Sequence, residues 1–362
     1  MRSPFRLSDP KRGRDLADAI RILAPPEPFK IVHVCGTHEM AITRNGLRRF
    51  LPETVDLLEG PGCPVCVTPA RDIDTAIEIA RTGAIVCTFG DMMRVPGSET
   101  SLDGARSEGC DVRTVLSAAD AVDVAREKSV EEVVFFAVGF ETTAPTTAAI
   151  LLDAPPPNFS VLLSHKQIPQ AMAALLDLPN SRIGAYLAPG HVSTIIGTHG
   201  YGSWLASFRV PIVVGGFEPL DILYAIALIL RQHRDGVPKI ENAYPRAVSD
   251  RGNPAALALI ARVYEVADVA WRGIGTIARS GFRLRDAFAP FDARSRFTLE
   301  LPEEESEIPG CRCPDVLTAR AVPTDCPLFA TRCTPLSPVG PCMVGSEGAC
   351  SIWFRYGGRK SL

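Results

Sequence analysis

The chain has 362 residues, enough for two or three domains with a sizeable core. Its apolar and charged fractions of 46% and 22% are those of an ordinary globular protein, and its net charge of −3 gives no reason to expect a nucleic-acid or anionic-membrane surface. The longest apolar run, residues 222–230, is half the length of a membrane span and predicts a buried helix. The first fifteen residues have no signal-peptide core, so we expect a cytoplasmic protein.

Short β-branched runs alternate with helix-like stretches from about residue 29 to residue 216. Most of the runs are continuously apolar, which is typical of parallel strands buried on both faces. The runs are 31–35, 55–58, 84–89, 133–138, 160–163, 183–187 and 210–214, and the helical stretches between them include 72–81, 118–128 and 170–176. This alternation predicts an α/β fold with right-handed crossovers.

Two of the strand ends carry the same three letters, Gly-Phe-Glu, at 139–141 and 216–218. The repeat favours two similar, Rossmann-like α/β units. The Pro-rich linker 154–158 predicts their boundary, so the first unit spans 29–154 and the second spans 155–245. After about residue 246 the strand pattern gives way to a predicted helix over 254–269. We therefore predict a third, mostly helical or irregular domain, formed by 1–28 and 246–362 and carrying the late cysteines.

Ligands of open α/β sheets bind at the carboxyl ends of the strands, where several polar side chains are predicted. These are Glu141, Thr142, Thr143, His165, Lys166 and His191. As a set they indicate a pocket, although each could instead cap a helix or shape a turn. His199 and His233 are interpreted as structural, and Cys87 as a core residue of its strand.

Eleven cysteines are unevenly distributed, with three early and six in the last fifty-odd residues. In a reducing compartment, clustered cysteines indicate metal binding or redox chemistry rather than structural disulfides.

The early motif HVCGTHEM (33–40) places Cys35 at the end of a predicted strand, where a helix begins. Backbone N–H groups and the helix N-terminus there favour a thiolate. His38, three residues later, is placed to share a proton or to hold a ligand. The alternative is a buried structural cysteine, against which the neighbouring Gly36 and the polar residues Thr37 and Glu39 argue.

The motif GPGCPVC (60–66) contains a C-x-x-C pair whose two sulfurs can form a disulfide or bind one metal ion. A helix after Cys66 would lower the pKa of at least one of the two thiols. Zinc is a rival interpretation, but the chain has no second C-x-x-C to complete four ligands. The sequence therefore favours a redox dithiol formed by Cys63 and Cys66.

The late motif supplies six thiols at gaps of 2, 13, 7, 9 and 8 residues, namely Cys311, Cys313, Cys326, Cys333, Cys342 and Cys350. Four thiolates hold a [4Fe–4S] cluster, and compact loops allow wide spacing between them. Zinc thiolate binding stays open, because the spacings fit no simple ferredoxin pattern. A Pro- and Gly-rich tail buries little apolar surface of its own, so it needs a metal or the domain body to hold it in place.

Six motifs together resemble the HypD family of [NiFe]-hydrogenase maturation factors over nearly the whole chain. They are CGTHE (35–39), GPGCPVC (60–66), GFETT (139–143), PGHVS (189–193), GFEPLDIL (216–223) and the tail from CPLF to the last cysteine. The resemblance implies a scaffold on which the Fe(CN)2(CO) unit of the hydrogenase is assembled. It implies two partners, HypC, which shares the iron through its own cysteine, and HypE, which donates cyanide.

Carried across by motif, Cys35 would ligate the iron, and Cys63 and Cys66 would be a redox dithiol in electronic contact with a tail cluster. The implied cluster ligands are Cys326, Cys333 and Cys350, with one of Cys311 and Cys313 as the fourth. The family usually has Gly after the second cysteine of that pair, where this chain has Pro314. Whether Cys311, Cys313 or Cys342 completes the set is therefore open.

Cyanide ligands accept hydrogen bonds, so His38 and Thr142 are predicted donors beside the iron, with Glu141 in the same catalytic group. A second hypothesis is an iron–sulfur-dependent thiol–disulfide oxidoreductase, in which Cys63 and Cys66 turn over a disulfide substrate without iron on Cys35. A third is a zinc-stabilised binding module without redox chemistry.

Overall fold

A computed structural model describes residues 9–202, 208–299, 301 and 308–357. Of the predicted third domain, residues 1–8, 300, 302–307 and 358–362 lie outside the described residues, as does most of the N-terminal stretch searched for a signal peptide. No helix in the described part of the chain is both long and apolar enough to cross a membrane.

Eleven strands are found among the described residues. They are β1 (Phe29–His33), β2 (Val55–Glu59), β3 (Ile85–Thr88), β4 (Val112–Thr114), β5 (Val133–Gly139), β6 (Phe159–His165), β7 (Ile183–Pro189), β8 (Ile212–Gly215), β9 (Ile240–Asn242), β10 (Tyr264–Trp271) and β11 (Gly275–Leu284). All seven predicted runs form strands, which confirms those predictions. The short strands β4 and β9 were not predicted, because three residues give too little periodicity to recognise.

The strands form two all-parallel sheets and one antiparallel hairpin. The first sheet has the order β2-β1-β7-β8-β9, the second has the order β4-β3-β5-β6, and β10 pairs with β11. Every residue of β3, β5 and β8 is buried, as a parallel strand covered on both faces requires. The prediction of an α/β fold with Rossmann-like units is confirmed.

Helices cover both faces of each sheet. The helices among the described residues are α1 (Pro10–Leu23), α2 (Gly36–Arg44), α3 (Pro64–Val67), α4 (Ala70–Arg81), α5 (Leu102–Ser107), α6 (Ala118–Glu127), α7 (Ala144–Leu152), α8 (Ile168–Leu176), α9 (Gly190–Ile196), α10 (Pro219–Asp235), α11 (Pro254–Val263), α12 (Ala293–Arg296), α13 (Cys313–Leu317) and α14 (Ala349–Tyr356). The helix α10 contains the apolar run 222–230 and is buried, as predicted. On the first sheet, Ile31 packs in the core under α1 and α10, and Val32 packs in the core under α8 and α9.

The predicted boundary at 154–158 does not separate the two sheets. The strand β6, which follows this linker, pairs with β5 from Val133↔Phe159 to Gly139↔His165. The first sheet instead combines β1 and β2 from the early chain with β7, β8 and β9 from the later chain. The linker is thus a Pro-rich turn between α7 and the next strand of one sheet.

The predicted helix over 254–269 is correct only as far as Val263, where α11 ends and β10 begins. Along β10, buried Tyr264 and Trp271 bracket residues whose exposure alternates, which is the period of a strand rather than of a helix. The described part of the tail, residues 308–357, consists of turns, the short helices α13 and α14, and the 3₁₀ turns Pro323–Asp325 and Pro341–Met343.

Candidate functional site

Cys35 lies at the carboxyl end of β1 and is the N-cap residue of α2, as predicted. It is 1% exposed, and its Sγ lies 3.4 Å from Nε2 of His191. His191 lies in the first turn of α9, directly after β7, which pairs with β1. Because the two strands are parallel and adjacent, their carboxyl ends bring the thiol and the imidazole together.

The burial of Cys35 disfavours the thiolate that the sequence predicts. Burial raises its pKa to about 12, although the backbone N–H of His38 and the Thr37 side chain act in the opposite direction. Burial also lowers the pKa of His191, against the raising effect of Glu347. Removal from water thus outweighs the helix N-terminus, and any metal bound at Cys35 has to displace the thiol proton.

His38 contacts the second Gly-Phe-Glu turn rather than Cys35. Its Nε2 lies 3.0 Å from the carbonyl oxygen of Gly216, and its ring packs 4.9 Å from that of Phe217. Burial, and then the charge of His33, lower the pKa of His38 to about 3, so the ring is neutral and its N–H donates to the carbonyl. In this arrangement His38 joins α2 to the second Gly-Phe-Glu turn, and His191 is the imidazole that contacts Cys35.

A buried ionic network anchors α2 behind Cys35. The Glu39 carboxylate lies 2.7 Å from Nε2 of His33 and accepts hydrogen bonds from Arg48 at 2.8 and 2.6 Å. Burial alone would raise the pKa of Glu39, but Arg48 and the hydrogen bonds outweigh it and hold that pKa below its usual value. Trp353, in α14 of the tail, donates from Nε1 to the same carboxylate at 2.7 Å.

The C-x-x-C pair lies directly against the Cys35 turn. Cys63 is the N-cap residue of α3, and it is joined to Cys66 by a disulfide with a Cα–Cα distance of 5.3 Å. A Cβ atom at Gly62 would overlap the backbone of Val34 and Cys35, so only glycine allows this approach. The two early motifs therefore form one buried cluster of cysteines, Cys35, Cys63 and Cys66, at the edge of the first sheet.

Six tail cysteines line one small cavity together with Phe329, Gly340 and Met343. Cys313 and Cys342 are joined by a disulfide, with a Cα–Cα distance of 6.3 Å. The four free thiols around the cavity are Cys311, Cys326, Cys333 and Cys350. Burial raises the pKa of Cys350, and the charges of Cys311, Cys333 and Cys326 raise it further, as expected for thiols that face one another.

Among the described side chains, no three His, Cys, Asp or Glu residues form a group with the geometry of a metal-ion site. The cysteine cavity is defined instead by four separate thiols around a shared space, with a backbone N–H of Val339 donating to Cys333 at 3.3 Å.

The dithiol and the tail cavity are in contact, although they are distant in sequence. The helix α3 packs against the 3₁₀ turn Pro341–Met343, and the backbone N–H of Arg272 donates to the Val67 carbonyl at 2.9 Å. Cys63 and Cys66 share one apolar core with most of the tail cysteines. The C-x-x-C pair and the cysteine-lined cavity of the tail therefore belong to one packed core.

Glu347 is a site residue that the sequence analysis missed. It comes from the tail, and its Oε1 accepts a hydrogen bond from Thr37 at 2.7 Å. A Cβ atom at Gly36 would overlap Glu347, so the second glycine-dependent approach brings the tail onto the Cys35 turn. Nothing in the local sequence indicates this contact, because it depends on how the tail folds back onto α2.

Glu141 is buried after β5, and its Oε1 accepts a hydrogen bond from the backbone N–H of Ile168 at 2.9 Å. Burial raises its pKa to about 8. Burial raises the pKa of Tyr201, whose hydroxyl lies 2.7 Å from that of Ser193. Tyr201 and Ser193 are fully buried polar residues that the sequence analysis did not predict.

The remaining predicted residues lie around the same strand ends or in the core. Thr142 is exposed, and Thr143 occupies the N-cap position of α7 without a side-chain capping bond. His165 is buried at the end of β6 and packs edge-on against Tyr264. Cys87 is buried within β3, which confirms its interpretation as a core residue. His233 is exposed, and its ring lies at a tilt 4.2 Å from that of Phe29.

The fold and the cysteines define the class: a parallel α/β protein with two clusters of cysteines, one at a sheet edge and one in the tail. The HypD family model, described as the hydrogenase formation hypA family, matches residues 12–357. This chain belongs to the HypD family.

Relatives cover nearly the whole chain. A hydrogenase expression/formation protein of Methanocaldococcus jannaschii is 47% identical over 91% of this chain and 92% of its own. The hydrogenase maturation factor HypD of Azotobacter vinelandii is 43% identical over 97% of this chain and 96% of its own. The hydrogenase maturation factor HypD of Escherichia coli is 44% identical over 92% of this chain and 91% of its own.

Proposed function

We propose that this protein serves [NiFe]-hydrogenase maturation in the cytoplasm, as the scaffold on which the Fe(CN)2(CO) unit is assembled. Membership of the HypD family supports the role in maturation. The observation that carries the proposal is the buried pair of Cys35 and His191 beside a C-x-x-C disulfide. A soft thiolate suits a low-spin iron that carries cyanide and CO.

In this proposal Cys35 is the iron ligand. Burial raises the pKa of its sulfur, so a bound metal has to displace the thiol proton, and Nε2 of His191 is a polar atom in contact with that sulfur. Glu347 and Thr37 hold the tail against this turn. The exposed Thr142 remains the proposed donor to a cyanide ligand, while the N–H of His38 is already engaged by Gly216.

The tail thiols fit a resident [4Fe–4S] cluster, because four free cysteines line one cavity. We take Cys311, Cys326, Cys333 and Cys350 as its ligands. Cys311 is preferred to Cys313, since Cys313 is paired with Cys342. A bound cluster would accept and supply single electrons.

The two disulfides give the chain its own redox capacity. Reduction of the Cys63–Cys66 disulfide takes up two electrons and two protons and leaves two thiols. Since α3 packs on the turn that contains Cys342, the dithiol lies next to the second disulfide, and both lie next to the proposed cluster ligands. This arrangement supports redox adjustment of the iron held by Cys35.

The proposed partners are HypC, which shares the iron through its own cysteine, and HypE, which donates cyanide. Because Cys35 is 1% exposed, a partner cysteine reaches the iron only if the turns around Cys35 open. The partner complex is therefore expected to differ from the free chain in the region of Glu347 and His191.

The test is infrared spectroscopy of the anaerobically purified complex with HypC. We expect cyanide and CO bands with the unaltered protein and with the control Cys110→Ser, since Cys110 lies outside the thiol groups. We expect none with Cys35→Ser. Bands of normal strength in Cys35→Ser would refute the role of Cys35.

The second candidate is an iron–sulfur-dependent thiol–disulfide oxidoreductase. The observation in its favour is the second disulfide, Cys313–Cys342, next to the first. It predicts turnover of a disulfide substrate that requires Cys63 and Cys66 and is unaffected by Cys35→Ser. A protein that contains zinc and no iron would refute both iron-based proposals.

A further inference from the structure

The helix α14 joins the tail cysteines to the helix that follows Cys35. Cys350, in the first turn of α14, lines the cysteine cavity, and Trp353 follows it by three residues. Residues three apart are neighbours on the surface of a helix. Trp353 is buried, and α14 packs against α2, whose N-cap residue is Cys35. One short helix therefore carries a tail cysteine and packs on the helix that begins at Cys35.

The indole of Trp353 is bound to the buried carboxylate of Glu39. Its Nε1 donates to Oε1 of Glu39 at 2.7 Å, and the guanidinium carbon of Arg48 lies 5.3 Å from the centre of the indole ring. Glu39 is fully buried and lies on α2, four residues after Cys35. Because a hydrogen bond to an ionised group is about twice as strong as one between neutral groups, this contact is a strong polar tie between α14 and α2.

The turn before α14 makes a second contact with the same helix. Glu347 accepts a hydrogen bond from Thr37, and a Cβ atom at Gly36 would overlap the backbone and Cβ of Glu347. Gly36 and Thr37 directly follow Cys35. The tail therefore covers the first residues of α2, next to the thiol.

The start of α14 is in turn held by another turn of the tail. Gly348, its N-cap residue, lies so close to Cys342 that a Cβ atom at this glycine would overlap the Cys342 carbonyl. Together with Cys350 in the first turn, this contact makes the position of α14 depend on how the tail cysteines are arranged. Turns with little core of their own take that arrangement from what their thiols bind.

We propose that Trp353 is a positioning residue for Cys35, and that through α14 it makes the accessibility of this thiol depend on the cluster bound by the tail. While the tail thiols hold the cluster, α14 keeps Trp353 on Glu39, and Cys35 stays buried. When the cluster is lost, α14 withdraws from α2, and Cys35 becomes accessible to solvent. The proposal rests on the resident cluster of the proposed function.

The test is the rate at which iodoacetamide alkylates Cys35 in the full-length protein under anaerobic conditions, followed for each cysteine by peptide mass spectrometry. A buried thiol reacts when the structure around it opens, and opening at Cys35 breaks the bond between Trp353 and Glu39. Trp353→Phe removes this bond and keeps an aromatic ring. We expect alkylation to be about tenfold faster in this variant, the size expected for one hydrogen bond to a charged group.

Removal of the cluster by a chelator is the second arm of the test. In the unaltered protein it is expected to accelerate the alkylation of Cys35 by at least as much as Trp353→Phe does. In Trp353→Phe, where the tie to α2 is already broken, cluster removal should accelerate it by less. The two effects are therefore expected to combine to less than their product, as for two changes that act on one contact. Iron analysis before and after the treatment measures the cluster content.

Two controls separate a local opening from a general loss of stability. Trp271→Phe is the matched substitution, since Trp271 is also buried and donates from Nε1 to Ser280 at 2.8 Å. This variant should leave the rate at Cys35 unchanged. Cys87, buried in β3 of the second sheet, reports opening of the whole protein, and its rate should stay the same in each variant.

Three results would overturn the proposal. The first is an unchanged rate at Cys35, either in Trp353→Phe or after cluster removal from the unaltered protein, which is informative even if the variant fails to fold. The second is an equal acceleration at Cys35 and Cys87. The third is an effect of cluster removal that is as large in Trp353→Phe as in the unaltered protein. Absence of iron from the tail would refute the resident cluster, and the rates of the two metal-free proteins would then decide the positioning role of Trp353 by themselves.

Discussion

The early and the late cysteines are held in place by different kinds of structure. The early turn is fixed by the first sheet, where the backbone N–H of Gly60 donates to the His33 carbonyl at 2.8 Å. Four of the six late cysteines lie in short turns, such as the one closed by Cys333 N–H and the Leu328 carbonyl at 2.9 Å, and Cys313 and Cys350 lie in the first turns of short helices. A sheet edge positions a thiol without any ligand, whereas turns with little core of their own depend on what their thiols bind.

The largest expected effect separates the two regions by metal dependence. Cys333→Ser removes one proposed cluster ligand, so we expect loss of iron and a decrease of several kcal/mol in the free energy of unfolding. Cys35→Ser should keep its cluster iron and stay within about 1 kcal/mol of the unaltered protein. Iron analysis and denaturant unfolding measure both quantities. Equal iron content and equal stability in the two variants would contradict the proposed difference in metal dependence between the two regions.

A second prediction concerns the pH dependence of the buried sheet edge. The pKa of Glu141 is raised to about 8 in the folded protein, so the folded state keeps a proton that the unfolded chain has lost. The contribution of protonated Glu141 to the free energy of unfolding is therefore fully present below about pH 4.5. It is lost as the pH rises toward 8, by at most about 1.4 kcal/mol per pH unit.

Glu141→Gln keeps an oxygen for the Ile168 N–H and removes the titration. As the pH rises from 5 to 8, the free energy of unfolding of Glu141→Gln should increase relative to that of the unaltered protein, by a few kcal/mol in total. Urea unfolding across this range is the measurement, and Glu127→Gln, at an exposed position of α6, is the control. Parallel pH curves for Glu141→Gln and the unaltered protein would contradict the prediction.

The smallest effect tests the contact between the two early motifs. Gly62→Ala forces a methyl group against the backbone of Val34 and Cys35, and we expect a loss of about 1–3 kcal/mol in unfolding free energy. Gly13→Ala lies within α1 with its nearest neighbour, Leu220, at 3.7 Å, and should be stabilising by about 0.5–1 kcal/mol. Thermal unfolding compares the two. A neutral Gly62→Ala would mean that the turns are not in contact.

Local patterns predicted the strands but not how they assemble. The apolar runs identified β1, β5 and β7 because a buried parallel strand is apolar on both faces. Which sheet each strand joins depends on crossovers between distant segments, so the linker at 154–158 was misjudged. The end of α11 was missed because the strand β10 follows it directly, without a Gly or Pro between them.

The positions of site residues at strand ends were predictable from the sequence. The effects of burial, and the contacts made by the tail, were not. Cys35 lies where the sequence places it, but its pKa rises because distant segments remove it from water. His191 rather than His38 contacts the thiol, since a parallel neighbour brings it there. Only the pairing of Cys313 with Cys342 favours Cys311 as the fourth proposed cluster ligand.

The central claim is that the late thiols hold a resident cluster while Cys35 holds an iron that passes through the protein. Mössbauer spectroscopy of ⁵⁷Fe-labelled protein in complex with HypC tests it most directly. We predict a cluster signal and a separate low-spin iron signal in the unaltered protein, and the cluster signal alone in Cys35→Ser. A low-spin signal that persists in Cys35→Ser, or a cluster signal lost with it, would contradict the account.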